Sequence, residues 1–180
     1  MKDFTVYINE KLKITKNILK QYKYNYRPST KDELVALIEQ LIEERGIEAD
    51  LNDINTSKIT DMSWLFDSSK FNGDISGWDV SAVENMEGMF KVSKFNGDIS
   101  KWKVRKVKNM SNMFYWSNFT GENGSISGWD VSNVSTMIYM FEKSKFNRDI
   151  SKWKIDKNCD VDGMFLTCPI KDEYKPKFNK

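Results

Sequence analysis

Histidine is absent from the 180 residues, and that removes most familiar reaction centres at once. Without an imidazole there is no Ser-His-Asp or Cys-His relay, no common zinc hydrolase site and no side chain that titrates unperturbed near neutrality. Phosphate-cradling glycine loops and the Gly-x-Ser-x-Gly elbow are missing as well. Asp74, Asp98 and Asp149 line up, but they share one repeated position, so repetition accounts for them better than acid–base chemistry. The run Asn158-x-Asp160-x-Asp162-Gly163 imitates the start of a calcium loop, yet its twelfth position is Pro169 where a bidentate Glu is needed. The sequence therefore predicts no enzyme, no cofactor and no metal. Cys159 and Cys168 are expected as two free thiols, with a bridge between them as the alternative.

What remains is binding chemistry. Tyr115, Trp116 and Tyr139 are aromatics where the equivalent positions of a neighbouring repeat hold Lys91, Val92 and Gly88. Large aromatics that a repeat does not require are typical anchors for a protein partner. They fall near a three-residue insertion, Thr120-Gly121-Glu122, and packing against that insertion is the alternative. Lys101, Lys103, Lys152 and Lys154 add a basic component to one face. Nucleic acid is not expected, because the net charge is only +2. The interleaved Lys20, Tyr22, Lys23, Tyr24, Tyr26 and Arg27 imitate a single-strand binder, but read more simply as a connector between cap and solenoid.

These residues need a scaffold, and the repeat supplies it. Phe71-Asn-Gly-Asp-Ile75-Ser-Gly-Trp78-Asp-Val80-Ser-Ala-Val83-Glu-Asn85-Met86-Glu-Gly-Met89-Phe90 returns from Phe95 to Phe114, and again from Phe119 and from Phe146. Trp78, Trp102, Trp129 and Trp153 are spaced by 24, 27 and 24 residues, and a degenerate first copy starts at Leu51. One such unit cannot bury its own Phe, Ile, Trp, Val and Met, whereas stacked units can. The expected fold is α/β: a right-handed leucine-rich-repeat-like solenoid of about five 24-residue repeats. Each repeat would hold a short parallel strand over Ile75-x-x-Trp78-x-Val80 and a one-turn helix capped by Asn85. Asn-Gly at 72–73, 96–97 and 123–124 is read as a turn with positive φ. Alternating Asp79, Lys103, Asp130 and Lys154 would attract one another across stacked units.

The domain reading is a helical cap over 1–50, the solenoid over 51–168 and a polar, poorly ordered tail over 169–180. Thr30 and Glu33 form a capping box for a helix from Lys31 to Arg45, with Gly46 as its stop. Its stripe of Leu34, Leu37, Ile38, Leu41 and Ile42 would cover the open end of the first repeat, with Trp64 packed beneath it. Residues 1–26 are read as a short helix around Phe4, Tyr7, Ile8 and Leu12. No apolar stretch is long enough to span a membrane and the N-terminus has no secretory h-region, so the expectation is a cytoplasmic monomer, with the cell surface as the alternative.

The repeat resembles the BspA-like leucine-rich repeat, found also in mycoplasma lipoproteins, over about residues 51–166. That resemblance implies a solenoid with a protein-interaction role, and many members of that family are bacterial surface proteins involved in adhesion. Unlike them, the chain is expected to carry no lipidation cysteine and no cell-wall anchor. Its Met-Lys-Asp-Phe start and cap helix are similar to those of short proteins of gut bacteria and their phages. Three readings follow from this: a cytoplasmic recognition protein for a partner of unknown identity, a phage or mobile-element inhibitor of a host enzyme such as a defence nuclease (anti-CRISPR-like), and a surface adhesin.

Overall fold

The computed structural model describes residues 24–178, so the helix expected around Phe4–Leu12 lies outside the described residues. Those described form a repeat solenoid capped by one α-helix, α1 (Lys31–Arg45). Helix α1 begins where the sequence places it. The Thr30 side chain accepts from the Glu33 N–H, and the Glu33 carboxylate accepts from the Ser29 N–H at 2.6 Å. Leu34, Ile38 and Leu41 are buried, and Leu37 and Ile42 pack against the same core. Arg45 fastens the far end. Its guanidinium donates to both Asp53 carboxylate oxygens at 3.1 Å, to the Asp50 carbonyl and to the Tyr26 hydroxyl. Tyr26 itself is extended and bridges Ile54 in parallel, which ties the N-terminal connector to the first coil.

The interior is a set of ladders running through the stack. Phe66, Phe90, Phe114, Phe141 and Phe165 lie ring on ring with centroids 5.5–5.8 Å apart. Phe71, Phe95, Phe119 and Phe146 form a second column, each within 4.3–4.9 Å of the first. Every Met and Phe of the central repeats is fully buried, and burying one such side chain is worth about 1.5–3 kcal/mol. Tryptophan does two jobs. Besides filling the core, Trp78, Trp102, Trp129 and Trp153 donate their indole N–H to the carbonyls of Leu51, Ile75, Ile99 and Ile126 in the preceding coil.

The secondary structure of a coil differs from the expected strand and helix. Among the described residues there is no multi-residue strand and no sheet, only isolated parallel bridges. Polar side chains compete for the backbone. Asp74 and Asp79 accept from the N–H of Ser76 and Ser81, while the N–H groups of Trp78 and Val83 close turns onto Ile75 and Val80. The segment that was to be a strand is thus bent twice. Besides Tyr26–Ile54 and a bridge from Asp50 to Asp74, the bridges fall in the column read as a helix cap, linking Asp61, Asn85, Asn109, Thr136 and Asp160, one from each of five coils. Asn85 does cap, accepting from the Glu87 N–H, but no helix follows. The N–H groups of Met86, Gly88, Phe90 and Val92 donate to Asn109, Ser111, Met113 and Tyr115 of the next coil, while those of Met89, Lys91 and Ser93 close turns within their own. The backbone is a string of turns with every second donor directed along the stack. Such a string needs positive φ at two positions per coil, occupied by Trp64 and Ser68, Gly88 and Val92, Asn112 and Trp116, Tyr139 and Lys143, and Gly163 and Thr167.

Other expectations change in detail. Gly73, Gly97 and Gly124 are not at positive φ; a Cβ there would collide with Ala49 backbone, the Phe95 ring and the Asp98 carboxylate respectively. The neighbouring Asn is a ladder in its own right, with Asn72 and Asn96 side-chain oxygens accepting from the N–H of Asn96 and Thr120, each at 2.8 Å. Trp64 is not under α1: it is 40 % exposed, and its ring lies over Gly88. Nor is the chain beyond Lys171 loose as far as Phe178. Asp172–Tyr174 is a 3-10 turn, the Tyr174 carbonyl accepts from the Ile150 N–H, Pro176 is buried, and Phe178 leans on Phe165.

Candidate functional site

The positive-φ columns decide which side chains face outward. In each coil the inward residues (Met86, Met89 and Phe90 in the second) alternate with residues whose side chains leave the stack. Trp64 lies over Gly88, and Tyr139 repeats the arrangement over Gly163, so a ring in one coil covers the bare glycine of the next. The Lys91 ammonium sits between two rings, 5.0 Å from that of Trp64 and 6.0 Å from that of Tyr115. Lys143 lies 5.7 Å from the other side of Tyr115 and pairs with the nearly buried Glu142 at 3.5 Å. The Tyr115 hydroxyl first, and then Glu142, raise the Lys143 ammonium above its ordinary pKa. The result is a ridge in which ring and cation alternate over four coils: Trp64, Lys91, Tyr115, Lys143.

Trp116 stands beside Tyr115 and is 63 % exposed. Its backbone is fixed: the N–H donates to Glu142, and the φ of 49° is the one its column requires. Val92, in the same column one coil earlier, is also exposed. Tyr115 and Trp116 therefore share this ridge, while Tyr139 stands in the column of Trp64 with its ring over Gly163. The Thr120-Gly121-Glu122 insertion directs its hydrogen bonds and ion pair to Asn96 and Arg148, and none of them involves the three aromatics.

A scan of family profiles matches the one described as "Mycoplasma protein of unknown function, DUF285" over residues 36–122 and 116–173. The two segments take in most of α1 and all five coils. The chain belongs to the DUF285 family. Neither a curated protein nor a solved structure matches it significantly. The two DUF285 segments overlap at residues 116–122, a stretch that starts with Trp116 and ends with the insertion. The ridge thus spans both.

The four lysines lie elsewhere on this DUF285 chain. Lys101 and Lys103 border a shallow depression of about 370 Å³ with Ser76, Asp79, Ser81 and the edge of Trp78. Lys152 and Lys154 border another of about 450 Å³ with Trp153 and Lys177. No hydrogen bond, ring contact or shared cavity among the described residues joins these lysines to the aromatic ridge. The alternating charge column is close enough to act: Ser81 and then the Lys103 charge hold the Asp79 carboxyl below its usual range, and Ser132, Arg105 and Lys154 do the same for Asp130. The cysteines are free, and burial pushes Cys159 up to about 11 and Cys168 upward, so neither is a nucleophile at neutral pH. Asp160 serves as the turn acceptor for Asp162 and bridges Thr136.

Sequence reasoning missed Trp64, Lys91 and Lys143 as members of the ridge. A signal was present: their columns change chemical character from coil to coil while the inward columns stay apolar.

Proposed function

We propose that the chain is a non-catalytic interaction module, a solenoid of the BspA-like leucine-rich-repeat type, that binds a protein partner through the Trp64–Tyr115–Trp116–Tyr139 ridge. The observation that carries this reading is Trp116, a tryptophan 63 % exposed on a backbone already fixed by its neighbours. An aromatic so placed loses little conformational freedom on binding and offers a large area to a partner. Lys91 and Lys143 supply charge between the rings and favour a partner surface with acidic groups around an apolar centre. The repeated carboxylates Asp74, Asp98 and Asp149 each accept from a serine N–H two residues on, which supports reading them as turn formers of the repeat.

The test is paired capture from lysate of the source organism, with the unmodified chain and a Tyr115→Ala, Trp116→Ala, Tyr139→Ala variant as baits. A stoichiometric protein held by the first and lost from the second is the expected result. Equal retention by both would remove the ridge from the proposal.

A further inference from the structure

Each coil grips its successor through the N–H groups of one column set: Met86, Gly88, Phe90 and Val92 in the second coil, Met110, Asn112, Phe114 and Trp116 in the third, Met137, Tyr139, Phe141 and Lys143 in the fourth. In the last coil the same places are Val161, Gly163, Phe165 and Thr167, and their N–H groups have no acceptor among the described residues. As far as Phe178, the C-terminal segment makes no hydrogen bond to this row. Among the described residues it pairs with Ile150 and Asn147 and meets the edge where Phe178 and Lys175 reach the Phe165 ring. Phe165 remains partly exposed and Leu166 is 54 % exposed.

The opposite end has the complementary row. The carbonyls of Asp61, Ser63, Leu65 and Asp67 receive no backbone N–H donor among the described residues, whereas their equivalents in every later coil do. Helix α1 stands at that end, with Lys31 reaching Ser63 and Asp61. A helix adds a layer about 10 Å thick, so α1 holds the last coil of a second copy away from the Asp61 and Ser63 carbonyls. Head-to-tail stacking of this chain is hindered by α1 at one end and open at the other.

We infer that the C-terminal edge is a docking site for a peptide segment of a partner protein, added as a sixth turn string by backbone hydrogen bonding. The occupant is defined by continuity with the interface already repeated between coils. It offers carbonyls at every second residue to Val161, Gly163, Phe165 and Thr167, and an aromatic or Met side chain to extend the column that ends at Phe165. This edge differs from the ridge in being built from backbone donors and a ring end, and the two meet only where the Tyr139 ring lies over Gly163.

The probe is a synthetic peptide with the sequence of residues 108–117, the segment that occupies the same edge of the second coil. Added to the isotopically labelled full-length chain, it is expected to shift the amide resonances of Val161, Gly163, Phe165 and Thr167 and to slow their hydrogen exchange about tenfold or more. Phe165→Lys, checked for an unchanged melting curve, should weaken this at least about tenfold, because a charge on an edge opposes strand addition. A peptide with both Met and the Phe replaced by Ser should do the same without altering the protein, and Trp116→Ala should have no effect. Undisturbed edge amides at millimolar peptide, perturbation confined to the ridge, or a dimer seen by sedimentation with these amides protected in the absence of peptide would each overturn the inference.

Discussion

Asp53 shows how a single carboxylate holds cap to solenoid. Burial alone would raise its pKa, but hydrogen bonds from Arg45 and Asn25 and the Arg45 charge outweigh burial and hold it below the usual range. A carboxyl depressed in the folded state gives stability that is complete above its unfolded value, about 3.9, and is lost as pH falls through the lower folded value. Asp74, Asp79 and Asp130 are shifted the same way by their turn serines. The melting temperature is therefore expected to hold steady above pH 5 and to drop steeply below about 4, and Asp53→Asn should make that drop shallower. A flat profile to pH 2 would contradict it. Gly88 supports a second test at this scale. With φ at +59° and the Trp64 ring over it, Gly88→Ala should cost about 2 kcal/mol, and roughly half of that in a Trp64→Ala background. Additive effects in such a cycle would mean that ring and glycine do not meet. At this scale the sequence told inside from outside well, because Met, Phe and Trp columns are hard to misread. It did not tell what Asp and Asn would do, since a residue that can cap a helix can equally cap a turn.

Between residue and molecule stands the coil. Helix α1 was legible to its first and last residue because cap, apolar stripe and glycine stop agree. The coils were not, for two reasons. The pattern Ile75-x-x-Trp78-x-Val80 imitates a strand while the neighbouring Asp and Ser bend the chain, and Asn-Met-x-x-Met-Phe imitates a helix whose donors instead leave for the next coil. A string of turns has no propensity signature of its own, because it is stabilised by its neighbours and not by itself. The Trp column allows a direct check of this dependence. Trp102→Phe keeps an aromatic in the core but deletes the indole bond to the Ile75 carbonyl, and should cost about 1–2 kcal/mol in denaturant unfolding. No loss would show that the column serves for volume alone.

At the scale of the whole chain, the solenoid is a way of holding outward side chains in fixed rows. Coils placed in register carry Trp64, Lys91, Tyr115 and Lys143 from one coil to the next, with Trp116 beside Tyr115 and Tyr139 in the column of Trp64. Tyr115, Trp116 and Tyr139 were legible as departures from the repeat. Trp64, by contrast, was assigned to the cap because the sequence gives no sense of which way a residue at positive φ points. The most direct test of the ridge as the binding surface is amide hydrogen exchange on the complex with the captured partner. Slowed exchange confined to residues 64–68, 88–92, 112–116 and 139–143 is the predicted result. Protection confined to the segments around Lys101–Lys103 and Lys152–Lys154, with the ridge unchanged, would contradict it.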